Sequence, residues 1–120
     1  MELVGIENLI AEVEKLGQQG ARIENKALRE AGEIVKEAIK QEAPQRTGTL
    51  KKSIEVSGVR TKDGFKHVAV GPGKEGWYGK FLEFGTVKMK AKPFMAPGYE
   101  KSKERAMEKI TEELRKGLGL

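Results

Sequence analysis

The chain has no cysteine, one histidine and one aspartate among its 120 residues. Without cysteine it makes no disulfide and offers no thiolate to a substrate or a metal. A single histidine, His67, cannot supply the nitrogen and sulfur donors that a zinc site needs. Asp63 precedes Gly64, and a turn position accounts for it without chemistry. Long hydrophobic runs are also missing, so no segment reads as a membrane span. Met1 to Leu9 carries acidic rather than basic residues and has no signal-peptide core. A soluble intracellular protein is the expectation. Apolar residues make up 38% of the chain against 34% charged residues, enough for one modest core in one domain spanning residues 1–120.

Catalytic constellations are absent as well. The glutamates fall mostly on charged helix faces alongside lysines, as on ordinary helix surfaces. Gly71-Pro72-Gly73-Lys74-Glu75-Gly76 has the glycine spacing of a phosphate loop, but Trp77-Tyr78 follows where Lys and Ser/Thr are required. It reads as a mobile glycine loop. No enzyme activity, cofactor or metal is expected.

Charge is present in quantity and unevenly spread. The net charge is +5. Residues 1–43 hold six Lys/Arg against nine Glu, whereas residues 44–92 hold eleven Lys/Arg against four acids. A basic middle thus follows an acidic N-terminal third. Such a block is either a solvated face or a surface turned to a polyanion or an acidic partner.

Periodicity places the elements. Ile6, Leu9, Ile10, Val13 and Leu16 form one helical stripe. Leu28, Ala31, Ile34, Val35, Ala38 and Ile39 form a second, predicting a helix over 21–43 that Pro44 ends. Gly17 and Gly20 weaken the helix between the stripes and predict a break there. Ile54 and Val56 alternate with Glu55 and Ser57. Phe65, His67, Ala69 and Gly71 alternate with Lys66, Val68 and Val70. Asp63-Gly64 between these runs signals a hairpin. Trp77 to Phe84 suits a short helix closed by Gly85. Phe81 and Phe84 are expected in the core, and Trp77 and Tyr78 at an interface. Val87, Met89 and Ala91 alternate with Lys88, Lys90 and Lys92, either as a strand with one lysine-rich face or as an extended arm. A final helix begins near Pro97. Strands in the middle and helices at the ends predict an α+β fold, a small antiparallel sheet packed against a long N-terminal helix and a C-terminal helix.

Three segments carry a resemblance. Ala43-Pro44-Gln45-Arg46-Thr47-Gly48-Thr49-Leu50-Lys51-Lys52-Ser53-Ile54 resembles an "AP-x-x-TG-x-L-(R/K)-x-SI" signature. Tyr78-Gly79-Lys80-Phe81-Leu82-Glu83-Phe84-Gly85-Thr86 resembles "Y-x-x-x-x-E-x-GT", and Pro93-Phe94-Met95-Ala96-Pro97 resembles "(Q/K)PF-x-x-P". In this order and spacing they resemble the minor tail component, or head–tail joining, family of lambdoid-type siphophages (gene-product-ten-like). The chain departs from the pattern at Ala96, where many members carry a basic residue.

The resemblance implies a structural, homo-oligomeric protein of the virion, assembled in the host cytoplasm. It would form or join a ring at the head–tail connector or tail end. Expected partners are further copies of itself and other connector or tail proteins, with DNA passing through the lumen. Residues expected at assembly contacts are Trp77, Tyr78, Glu83, Lys88, Lys90, Lys92 and Phe94. Glu83, set among apolar residues, is expected to cap backbone or pair with a basic group. Arg46, Thr47, Gly48, Leu50, Gly85, Thr86 and Pro93 are expected to shape the motif turns, with Leu50 and Ile54 pointing to the core. A basic nucleic-acid-binding module is the alternative, since aromatic and basic residues interleave from Lys74 to Lys92.

Overall fold

A computed structural model describes residues 6–44, 48–76, 79–86 and 90–120. Helix α1 covers Ile6–Glu14 and α2 covers Gln18–Glu42. The break between them falls at Gly17, whose φ of 61° is left-handed. Ala43, before Pro44, is extended and ends α2 as expected. A short helix α3, Thr49–Ser53, leads into strand β1, Ile54–Val56. Strands β2 (Arg60–Lys62), β3 (Phe65–His67) and β4 (Val70–Pro72) follow. A 3₁₀ turn spans Lys74–Gly76, then come α4, Gly79–Phe84, and α5, Met95–Gly117. The fold is α+β, as expected.

The strands make one long, kinked antiparallel hairpin. β1 pairs with β4 (Ile54 with Pro72, Val56 with Val70), and β2 pairs with β3 (Arg60 with His67, Lys62 with Phe65). The Ser57 N–H still donates to Ala69 O at 2.8 Å, so the inner ladder runs one step past β1. Gly58 and Val59 then lie opposite Val68 alone. That extra residue shifts the register by one and bends the ribbon, as a bulge does. At the tip, Asp63 and Gly64 both have positive φ, 53° and 81°, the conformation of a two-residue hairpin turn.

Pairing fixes the two faces. Ile54, Val56, Val68 and Val70 turn inward: Val70 packs on the core of Ile39, Ala43, Leu50, Ile54 and Phe94, and Val56 and Val68 close over Gly32 of α2. The inward set is thus Lys66, Val68 and Val70. Phe65 takes the opposite parity and is 77% exposed, an aromatic left in solvent at the hairpin tip.

Helices α2 and α5 run antiparallel and form the long axis of the molecule. Ile39 near the end of α2 meets Gly98 at the start of α5, and Ile23 near the start of α2 meets Gly117 at the end of α5. A second core cluster, Val13, Ala27 and Leu114, lets α1 close over this pair. Glu113 is a buried charge, 5% exposed, and lies 3.3 Å from the Lys109 ammonium, 3.4 Å from Lys26 and 3.9 Å from Lys116. Burial pushes its carboxyl pKa upward, but hydrogen bonds to Lys109 and Lys26 outweigh that and hold it below the ordinary value. The α2 stripe read from the sequence divides in space. Ala31 and Ile39 are buried and Leu28 and Val35 face the hairpin side, whereas Ile34 and Ala38 line the far side of the helix.

The α2–α5 crossing tolerates no side chain at Gly98. A Cβ there would stand 2.6 Å from the Ile39 Cα and 2.9 Å from its backbone nitrogen, atoms that cannot swing away. Gly98→Val should therefore cost about 1–3 kcal/mol or more. Gly58→Ala, with open space around its position, should leave the denaturation midpoint nearly unchanged. Urea unfolding of both variants checks this, and equal midpoints would contradict the packing.

Candidate assembly surface

The three signature segments, far apart in sequence, meet around the ring of Phe94. Leu50 of α3 and Ile54 of β1 are buried beside it, each 2% exposed. Gly48, with a left-handed φ of 76°, precedes α3, and the turn it makes aims Leu50 inward. Ser53 donates from its hydroxyl to Leu50 O at 2.7 Å, and its carbonyl accepts from Gly73 N at 2.8 Å. A Cβ on Gly76 would come 2.1 Å from the Ser53 hydroxyl oxygen. A Cβ on Gly79 would lie 3.0 Å from a Leu50 methyl and 3.3 Å from the tip of Phe94. The glycines after β4 thus let backbone press against α3 and Phe94. The segment 71–76, expected as a mobile loop, is instead pinned strand and 3₁₀ turn.

Glu83 completes the convergence. Its Oε1 accepts from Phe94 N at 2.9 Å and from Met95 N at 2.8 Å, and its Oε2 accepts from Ala96 N at 3.1 Å. These are the leading backbone donors of α5, which a helix cannot satisfy itself. Pro97 has no N–H to satisfy, and Gly98 N begins the helical ladder by donating to Phe94 O at 3.2 Å. No donor at this helix start is left over. Partial burial raises the Glu83 pKa, but the hydrogen bonds from Met95, Phe94 and Ala96 lower it further, and the net shift is downward. The positive end of the α5 dipole favours the same ionised form. Capping, one of the two roles expected of Glu83, is the one it performs, on a different element.

Two expectations need correction. Phe94, expected at an assembly contact, is 0% exposed and sits at the centre of the core, so it is not available to a neighbour. Phe84, expected in the core with Phe81, is 81% exposed on α4. A six-residue helix has only one covered side, and Glu83, next in sequence, occupies it. Gly85, with φ 76°, ends α4 in the left-handed conformation expected of it. Thr86, Lys90, Lys92 and Pro93 are exposed, and residues 90–92 have no regular secondary structure. Arg46, Thr47, Trp77, Tyr78 and Lys88 lie outside the described residues, as do Val87 and Met89 of the extended segment and the side chain of Phe81. His67 is half-buried in β3. Among the described residues, no three His, Cys, Asp or Glu side chains gather as a metal site would require.

The outward-facing features are therefore apolar and cationic together: Phe84 on α4, Lys90 and Lys92 before α5, and Phe65 with Arg60 and Lys62 at the hairpin tip. The sequence signal for Phe65 was its place beside the Asp63-Gly64 turn, at the tip of the hairpin.

If Glu83 holds α5 in this way, Glu83→Ala should cost about 1–2 kcal/mol, and Glu83→Gln less. The pH dependence has a definite sign. A carboxylate whose pKa is lowered on folding contributes stability that is present above its unfolded value, near about 4.3. That contribution is lost as pH falls through the folded value. The stability gap between the parent and Glu83→Gln should thus be open at pH 7 and close as pH drops below about 4. A gap that stays constant down to strongly acidic pH would contradict the cap.

Residues 7–85, more than half of the chain, match the protein family described as "Bacteriophage HK97-gp10, putative tail-component". No curated protein and no solved structure matched the chain.

Proposed function

The chain belongs to this HK97-gp10-like family of phage tail components, and from that premise we propose that it is a structural virion protein that forms, or joins, a ring at the head–tail connector or the tail end. The family is one of structural tail parts, typically without catalysis, and structural partners within the phage particle follow from it. Among the described residues, no helix is long and apolar enough to cross a membrane. The finer reading is that the partners are further copies of this chain and the neighbouring connector or tail proteins, with DNA in the lumen. The protein would act in the virion after assembly in the host cytoplasm.

The charge asymmetry is the observation that carries this reading. Over its described residues the acidic first third is built into α1 and α2, while Arg60 and Lys62 of the hairpin, Lys80 of α4 and Lys90 and Lys92 before α5 are exposed. A ring needs a heterologous contact, in which one patch meets a different patch on the next subunit. Opposite charge on two separate faces supplies such a pair and guides encounter and register more than it sets affinity. Trp77, Tyr78, Lys88, Lys90 and Lys92 are the residues assigned to the basic side. A subunit of this kind is monomeric or weakly associated when free and closes its ring on the connector.

Replacing Lys88, Lys90 and Lys92 together by Glu tests the reading. The variant should keep its melting curve and helical circular dichroism, because the two described lysines are exposed, and should lower the yield of joined, infectious particles by about tenfold or more. Joining at the parental level would show that these lysines only keep the segment soluble.

A further inference from the structure

We infer that the β2–β3 hairpin tip is the key of the subunit contact, and that its lock is the outer face of α2 on the next copy of the chain. This rests on the ring reading above and adds a second contact beside that of the lysine-bearing segment before α5. Cross-strand pairing puts Arg60, Lys62 and Phe65 on one face of the ribbon. The other face carries Lys66, whose ammonium sits 3.1 Å from the Asn25 side-chain oxygen and 3.4 Å from the Glu24 carboxylate. That face ties the ribbon to the beginning of α2. On the opposite face His67, across from Arg60, is half-buried, and Arg60, Lys62 and Phe65 are exposed. Among the described residues neither Arg60 nor Lys62 has an ion-pair partner, and Phe65 is 77% exposed. An exposed aromatic directly across from Lys62 and diagonal to Arg60 is poorly explained by the stability of its own subunit.

The complementary face lies on the same chain and out of its own reach. On the side of α2 turned away from the sheet, a shallow depression of about 310 Å³ is lined by Glu30, Glu33, Ile34, Glu37 and Ala38 of α2 and by Arg105 and Lys109 of α5, so its three carboxylates outnumber its two cations. Glu33 has only a surface pair with Lys36, at 3.4 Å, and Glu37 has no ion-pair partner among the described residues. Ile34 and Ala38 are the apolar floor and the glutamates its rim. A phenylalanine fits such a floor while two cations meet the rim, the inverse of the hairpin's own arrangement. The ribbon is fastened at Glu24 and Asn25, on the other face of α2 and roughly 20 Å along the axis from Ala38 at about 1.5 Å per residue. One chain cannot close this contact on itself. It joins successive copies head to tail, as a ring requires. A single hairpin tip is also a small contact, in keeping with weak association until a connector holds the copies side by side.

The lack of native cysteine makes the test clean. Chains carrying both Phe65→Cys and Ala38→Cys, assembled into particles by the parent phage and then oxidised, should give a ladder of covalent dimers, trimers and higher multimers. Either single variant should give no ladder. Within one chain the two positions are too far apart to bridge, since a disulfide needs Cα atoms within about 7 Å. Arg60→Glu with Lys62→Glu should reduce particle yield by about tenfold or more, and adding Glu33→Lys with Glu37→Lys in the same chain should restore most of it. Multi-copy particles without a ladder and without rescue would overturn the contact while leaving the ring reading intact. Particles holding a single copy would overturn both. If Arg60→Glu with Lys62→Glu instead abolished retention of duplex DNA on a filter and the charge swap restored nothing, the hairpin would be a nucleic-acid contact and this inference would be wrong.

Discussion

Helices α2 and α5 approach at Ile39 and Gly98 with no room for a single carbon between them, and nearly everything else in the subunit is arranged around that crossing. It makes the core narrow. Phe94, one turn before Gly98, fills the space beside the crossing and becomes the point on which α3, β1 and the backbone before α4 converge. At the opposite end Gly117 lies against Ile23, and the buried Glu113 of α5 pairs across to Lys26 of α2 and along its own helix with Lys109 and Lys116. A removed partner there would leave a buried charge with fewer opposite charges around it, which is costly. Phe84 of α4 and Phe65 at the hairpin tip stay outside this core.

Glu83 solves the problem of starting α5 at a fixed place. The helix begins after Lys90 to Lys92, which have no regular secondary structure, and has no capping side chain of its own. A carboxylate from α4 supplies the missing acceptors. The same bonds hold α4, and with it Phe84, at a defined position on the surface. Core, cap and exposed aromatic are therefore one mechanical unit, and the segments that carry the family resemblance turn out to build the scaffold that presents the surface.

Much of this was legible in the sequence, for identifiable reasons. The helices α1 and α2, the stop at Pro44, the Asp63-Gly64 turn, the Gly85 terminus and the start of α5 near Pro97 are local signals, and the structure has each of them. Face assignment was harder. In β3 and β4 both parities hold apolar residues, and only the docking of Val68 on Gly32 decides that Phe65 points out. Ile34 and Ala38 share a helical period with the core residues of α2, yet α5 and the hairpin leave their side open. Phe94 was expected at an assembly contact and Phe84 in the core. Each went the other way because the Glu83 cap draws the start of α5, with Phe94, inward and leaves the far side of α4 uncovered. The glycines at 71–76 suggested looseness, but here the missing side chains permit contact with Ser53 and Leu50.

The central claim is that this chain works by presenting complementary faces to copies of itself inside a phage particle. The most direct test is a cryo-electron-microscopy map of the purified particle, into which the subunit is fitted. The account predicts several copies in a closed ring at the connector or tail end, with each hairpin tip against the outer face of α2 in the next copy. A particle map in which the chain is absent, or present as isolated copies whose hairpin tips and α2 faces both point to solvent, would contradict it.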